Sequence, residues 1–374
     1  MSVKRLRLLG MCLVPALLVF CTQAGAAGRH QSNVKLVHRP VWTLAMDWPQ
    51  VAYTSGEDGK SEEFHVWNMA TGATSVIESK HGVATHDAGE IAISGKRLAW
   101  IRTVQVGNTE LNHWLYTASL GGSAHLLRQM HGFTDTDCGL GGPQMGGLVG
   151  SGKAMAVSTW TDSSDGSVSS KQRLSLITRT GLRTIATGPN AILSESADGG
   201  HIAVLPTLPP SMTPDSCEQS LPTSAAVYST DGTLLGTIEL PPPDPSTLGY
   251  QVALSGNELV VLTYGLYEPN GPAWVTLTVY DWTTGAMLHS WPVGITYDPG
   301  EVDFSVHGEL AAVEGPSRLH LVDLNIGKDV TIAAARQIVS PTSLGAHGLV
   351  YAVDRHNSGK LVFVPWAKLL AAVS

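Results

Sequence analysis

One short unit recurs seven times along this chain: an apolar strand, a tight turn that usually pairs Gly with a polar residue, and a second apolar strand. It reads IAISGKRLAWI from Ile91, LVGSGKAMAV from Leu148, SADGGHIAVL from Ser196, ALSGNELVVL from Ala253, SVHGELAAV from Ser305 and LGAHGLVYAV from Leu344, with LAMDWPQVAY from Leu44 as a looser copy. The second strands begin at Val51, Leu98, Ala154, Ile202, Leu259, Leu310 and Leu349, 39 to 57 residues apart. Spacings of roughly 40 to 50 residues suit four-stranded blades joined by some long loops.

Each unit also has a second half. Strand–turn–strand segments follow at Phe64, Trp114, Arg173, Ala225, Leu277 and Leu319, with period-two alternation around Asp-Gly, Thr-Gly or Gly-Gly turns. That is a hairpin signature, because Gly takes positive φ at no steric cost. Charged residues make up only 14% of the chain and 40 of its 374 residues are Gly, as many short strands and tight turns require. Two hairpins per unit predict an all-β, seven-bladed β-propeller of four-stranded antiparallel blades, with a tandem sandwich as the alternative. The seventh unit departs from the pattern, running Pro365-Trp366-Ala367-Lys368 with no turn glycine, while Val34 to Val37 reads as an unassigned strand. Pairing that N-terminal strand with the last blade would close the ring and remove the open edge.

The stretch VAYTSGEDGKSEEFHVWNMATGATSVIE, from Val51, resembles the WD40-like repeat of TolB-type propellers. It has the apolar strand, charged Gly turn, aromatic strand, second Gly turn and final strand, without the Trp-Ser-Pro-Asp-Gly opening. The resemblance implies the propeller fold and no particular activity.

Lys4, Arg5 and Arg7 precede an apolar run from Leu8 to Phe20 and the small residues Ala24-Gly25-Ala26, the order of a secretory signal peptide. Residues 1–26 are therefore expected to be cleaved near Ala26, leaving 27–374 as one propeller domain, secreted or periplasmic. Bulky Phe20 before Cys21 argues against lipid attachment there. No later segment has the roughly 20 apolar residues of a spanning helix, so stable membrane insertion is not expected. Cleavage leaves 20 basic against 31 acidic groups, a surface that repels nucleic acid. Nothing in the pattern calls for a second copy, and a monomer is expected.

Cys138 and Cys217 outlast the signal, and an oxidising compartment would let them form one disulfide, two free thiols being the alternative. Both fall on the face that gathers the connections between blades and the middle loops within them. His86 and Asp87 lie between blades 1 and 2; His131, Asp135 and Asp137 are placed between blades 2 and 3. These could supply acid–base groups at the channel mouth or remain solvated loop residues. Tyr264, Tyr267 and Trp274 in the middle loop of blade 5, with Tyr297 and Asp298 in the next connection, suit stacking on a sugar or peptide, or else cap the blade ends.

The run GGLVGSGKA from Gly146 mimics a phosphate loop but ends in Ala154 and repeats the ordinary blade turn Ser94-Gly95-Lys96. No metal site or cofactor is predicted; calcium is the one ion hinted at, by the Asp/Ser/Gly clusters at Asp135–Gly139 and Asp162–Gly166, which hold half of a calcium loop's ligands. The expected function is an exported binding or interaction protein holding a protein or glycan on its loop face. The alternative is a hydrolase or lyase assembled from single residues of separate blades.

Overall fold

The computed structural model describes residues 33–374 except 58–60, 82–89, 107–109, 134–140, 163–168, 189–191, 207–220, 268–272, 295–301, 316–317, 335–341 and 356–357. The first strand, β1 (Val34–Val37), belongs to the last blade. Blade 1 is β2 (Val41–Asp47), β3 (Gln50–Glu57), β4 (Ser61–Asn68) and β5 (Thr74–His81). Blade 2 is β6 (Ile91–Ser94), β7 (Arg97–Val106), β8 (Glu110–Ser119) and β9 (His125–Phe133), and blade 3 is β10 (Gly142–Ser151), β11 (Ala154–Asp162), β12 (Ser169–Ile177) and β13 (Leu182–Gly188). Blade 4 comprises β14 (Ile192–Asp198), β15 (His201–Pro206), β16 (Ser224–Ser229) and β17 (Leu234–Glu239); blade 5 comprises β18 (Thr247–Ser255), β19 (Glu258–Leu266), β20 (Ala273–Asp281) and β21 (Ala286–Val293). Blade 6 is β22 (Asp303–His307), β23 (Leu310–Gly315), β24 (Arg318–Asp323) and β25 (Asp329–Ala334). Blade 7 contributes β26 (Thr342–Gly345), β27 (Gly348–Arg355) and β28 (Ser358–Pro365).

All seven sheets are four-stranded, and the seventh runs β26-β27-β28-β1. Antiparallel pairing of Val34 with Val362 through Val37 with Gly359 supplies its outer strand, so the N-terminal strand closes the ring as its sequence position suggests.

Packing follows from that arrangement. The second strands are apolar almost throughout, as in the unbroken buried run from Ala154 to Thr159, because each is sandwiched between two neighbouring blades. The outermost strands meet solvent and are mostly exposed, as along β21. Among the described residues the buried apolar side chains fall into seven clusters, each joining one adjacent pair of blades. The cluster between blades 7 and 1 unites Val37, Val41, Tyr53 and Trp67 with Val350, Leu361 and Phe363.

The seventh unit lacks a turn glycine because no hairpin follows it. With β1 already occupying the fourth place, the chain instead enters a helix, α1 (Trp366–Val373), after the extended Pro365. Leu369 and Val373, four apart on one helical face, are buried over Leu319 and Leu321 of blade 6 and Leu349 of blade 7. Sequence periodicity missed α1 because two turns are too short to separate from a strand.

Candidate functional site

The first strand of every blade lines a central channel of about 1110 Å³. The lining takes consecutive residues of each first strand, among them Ala45 and Asp47 of blade 1, Glu90 and Ala92 of blade 2, Glu195, Ser196 and Asp198 of blade 4, and Asp303, Ser305 and His307 of blade 6. The residue immediately before the turn also latches neighbouring blades together. Asp47 accepts the N–H of Gly95 at 2.6 Å, Asp198 that of Gly256 at 2.7 Å and Ser255 that of Gly308 at 2.8 Å, while Ser94 donates to the carbonyl of Gly152 at 2.9 Å.

Among the described lining residues there are five carboxylates, Asp47, Glu90, Glu195, Asp198 and Asp303, and no Lys or Arg. Two of these carboxylates meet at an irregularity in blade 3. The pairing of β10 with β11 slips between Gly146 and Val149, where the bulge turns backbone N–H groups out of the ladder. Glu90 of blade 2 takes them, accepting from Gly147 at 3.1 Å and also from Leu148. On the other side of Gly147 lies Glu195 of blade 4. Gly147 has φ +63, and a Cβ built on it would stand 1.7 Å from Glu195 Oε1. Only glycine permits both the backbone turn and the approach of that carboxyl. Trp160 completes the corner, since a Cβ on Gly146 would meet Glu90 Oε1 at 3.2 Å and Trp160 Cη2 at 3.3 Å.

Burial sets the protonation of these groups. Part of each residue's surface meets the channel, but the carboxyls themselves are walled by protein, which disfavours their charged form. Burial holds the Glu195 carboxyl well above the usual carboxylate range, the negative charge of Glu90 pushes it further, and the Ser158 hydroxyl opposes both. Burial also raises Glu90 against the lowering effect of its two N–H donors. Glu195 Oε1 is sealed from solvent and has no hydrogen-bond partner.

Across the channel, burial pushes Asp303 up to about 6, although the Phe304 N–H donates to its Oδ1 at 2.8 Å. A carboxyl raised on folding stabilises the protein most below its unfolded pKa, and that contribution is lost as pH climbs through the folded value. Asp303→Asn keeps the Phe304 contact and removes the titration. The variant should therefore match wild type near pH 4, gain on it between about pH 4 and 6, and hold a lead of about 1–3 kcal/mol above that. Urea unfolding at pH 4, 5, 6 and 7 measures the difference; a gap independent of pH would contradict this account of Asp303.

A polar chain borders the same region: Thr103 Oγ1 and His113 Nδ1 are 3.0 Å apart, and His113 Nε2 lies 2.9 Å from Gln144 Oε1. Gln144 Nε2 donates to the Gly141 carbonyl at 2.7 Å. The amide oxygen accepts from His113 Nε2–H.

Of the residues expected to carry function, His86, Asp87, Asp135, Asp137, Cys138, Cys217, Tyr297 and Asp298 lie outside the described residues. His131 is not in a connection. It stands near the end of β9, the outermost strand of blade 2, exposed and bonded through Nδ1 to Asn112 Oδ1, because strand alternation continues to Phe133. Tyr264 and Trp274 also belong to strands rather than to the middle loop of blade 5. Tyr264 on β19 packs over Gly249, and Trp274 on β20 packs over Gly265 and donates its indole N–H to Ser246 at 3.3 Å. Tyr267 alone of the three is open, at 68% exposure just beyond β19. The GGLVGSGKA run forms the end of β10, a turn and the start of β11; no helix follows, and the freed N–H groups of its bulge already hold a carboxylate.

Ser55, His65 and Glu63 look like a nucleophile, base and orienting acid, but their geometry is wrong for one. Ser55 Oγ at 3.1 Å and Glu63 Oε2 at 3.2 Å both approach His65 Nε2, whereas a triad uses opposite nitrogens. Ser55 is also buried. Among the described residues no group of three or more His, Cys, Asp or Glu is arranged to hold a metal ion.

No protein-family profile and no curated protein sequence matches the chain. Solved structures do. A hydrazine synthase from Kuenenia stuttgartiensis superposes with a TM-score of 0.51 at 13% identity, over 88% of this chain and 96% of that one. The β-propeller domain of the Trilobed protease from Pyrococcus furiosus gives 0.50 at 12% identity, over 87% and 93%. The chain is a seven-bladed β-propeller. TolB from Acinetobacter baumannii gives a TM-score of 0.38 at 17% identity, over 69% of this chain and 55% of that one. The likeness to the first two structures is one of fold, and at these identities fold carries no activity with it. Among the described residues no helix is long and apolar enough to cross a membrane.

Proposed function

We propose that this propeller is an exported, monomeric binding protein that presents its loop face and the channel beneath it to a protein or glycan ligand. One observation carries the reading: a channel of about 1110 Å³ lined by the first strands of all seven blades, with five carboxyl groups and no Lys or Arg among the described lining residues. Concave sites of this size with a few convergent polar groups are where ligands bind. Export is supported by the basic and apolar order of residues 1–26, and the Cys138–Cys217 disulfide fits the same compartment. Tyr267, Tyr297 and Asp298 would serve as contacts on the face around the mouth.

The Glu90–Glu195 pair also favours a second reading, a hydrolase or lyase. Two carboxyls of like charge with one kept protonated can divide acid and base roles between them. A thermal-shift screen of residues 27–374 against peptides, sugars and divalent ions tests the binding proposal. A ligand at a hundred times its Kd adds about 2.7 kcal/mol, seen as a rise of several degrees in Tm. Silence from every class would count against it.

A further inference from the structure

The corner formed by Gly146 and Gly147 is more specific than a binding channel in general. A carboxylate from blade 2, a carboxyl from blade 4 and an indole from blade 3 converge there on two residues with no side chains. The lining described around them holds no Lys or Arg that would neutralise them. Gly147 and Leu148, whose N–H groups could have attracted an anion, already serve Glu90. Glu195, whose buried Oε1 has no hydrogen-bond partner, belongs to the same lining.

We infer that this corner binds an organic cation, an alkylammonium or guanidinium group, whose N–H donors bridge Glu90 and Glu195 beside the Trp160 indole. The inference rests on the proposed binding function and names the chemistry of its ligand. A bare divalent ion fits less well, because no cluster of three ligating side chains is present among the described residues. An organic cation needs fewer carboxylates and gains from the aromatic ring. Its arrival also changes a protonation state. Glu195 binds a cation as carboxylate, so the raised proton affinity that burial gives it couples cation binding to proton release.

Calorimetric titration of residues 27–374 tests this with 1,5-diaminopentane and a Lys-containing pentapeptide, against 1,5-pentanediol, calcium chloride and a neutral trisaccharide. One or both cations should bind at least 100-fold more tightly than the diol. Binding of the peptide alone assigns the cation to a protein partner, and binding of the diamine to a small amine. Glu195→Gln should weaken binding by about 10- to 100-fold and abolish the dependence of the heat on buffer ionisation that marks proton release. Circular dichroism and Tm confirm that the variant is folded. Equal affinity for the diol, binding of calcium alone, or an unchanged Glu195→Gln variant would overturn the inference. If the trisaccharide binds instead, the binding function stands and the cation is wrong; if no probe binds, both fall.

Discussion

Gly147→Ala should destabilise the protein by about 2–4 kcal/mol, a large loss for the addition of one methyl group. At φ +63 an alanine carries about 1–2 kcal/mol of backbone strain. The remainder comes from Glu195. The new Cβ would lie 1.7 Å from Oε1 and 1.9 Å from Cδ, so the carboxyl must leave its place between blades 3 and 4 or the bulge must shift. A double-mutant cycle separates the two costs. Glu195→Ala alone should be neutral or mildly stabilising at pH 7, since it removes a buried carboxyl with an unpartnered oxygen. In that background Gly147→Ala should cost only the backbone strain, leaving a coupling of about 1–3 kcal/mol, measurable by urea unfolding. Additive effects would mean that Gly147 and Glu195 do not meet.

Val37→Asp should cost about 3–4 kcal/mol, while Leu36→Asp, one residue away, should change stability by less than about 0.5 kcal/mol. Both residues sit on the four-residue strand β1, and alternation sends them to opposite faces. Val37 is 7% exposed and packs with Val41, Leu361 and Phe363, so an aspartate there places an unpaired charge in the seam between blades 7 and 1. Leu36 is 72% exposed. The contrast isolates ring closure, because a terminal strand that merely rested on the surface would tolerate both changes equally. Loss of the seam should also bare the edge of β28, so the Val37 variant is expected to aggregate on heating where the Leu36 variant does not.

The architecture was open to reading in the sequence because a propeller repeats its local rules. Ser94-Gly95, Ser151-Gly152, Asp198-Gly199 and Ser255-Gly256 each end an inner strand in a turn that needs positive φ, and the spacing between such turns sets the blades. The closing strand was legible for a related reason, since seven units of hairpins left β1 over and β28 short of a partner. The carboxylate corner was not. Glu90, Glu195 and Asp303 resemble any polar residues near strand starts when each unit is considered alone. Glu90 and Asp303 stand five residues before Gly95 and Gly308, but Glu195 stands four before Gly199, so no single position in the repeat marks all three, and only the three-dimensional packing brings Glu90 and Glu195 to one corner. Loop histidines and aromatics are the more conspicuous signal, yet for His131, Tyr264 and Trp274 the strands run further than their turn-like surroundings suggest.

The measurement that bears most directly on the channel as the ligand site is photo-crosslinking from two positions with the compound that raises Tm in the screen. A benzophenone side chain is placed at Trp160, half-buried in the channel wall, and separately at Leu126, 51% exposed on the outer strand of blade 2. Irradiation should give a covalent adduct from position 160 and none from position 126. An adduct from position 126 alone would place the ligand on the outer rim and contradict the account.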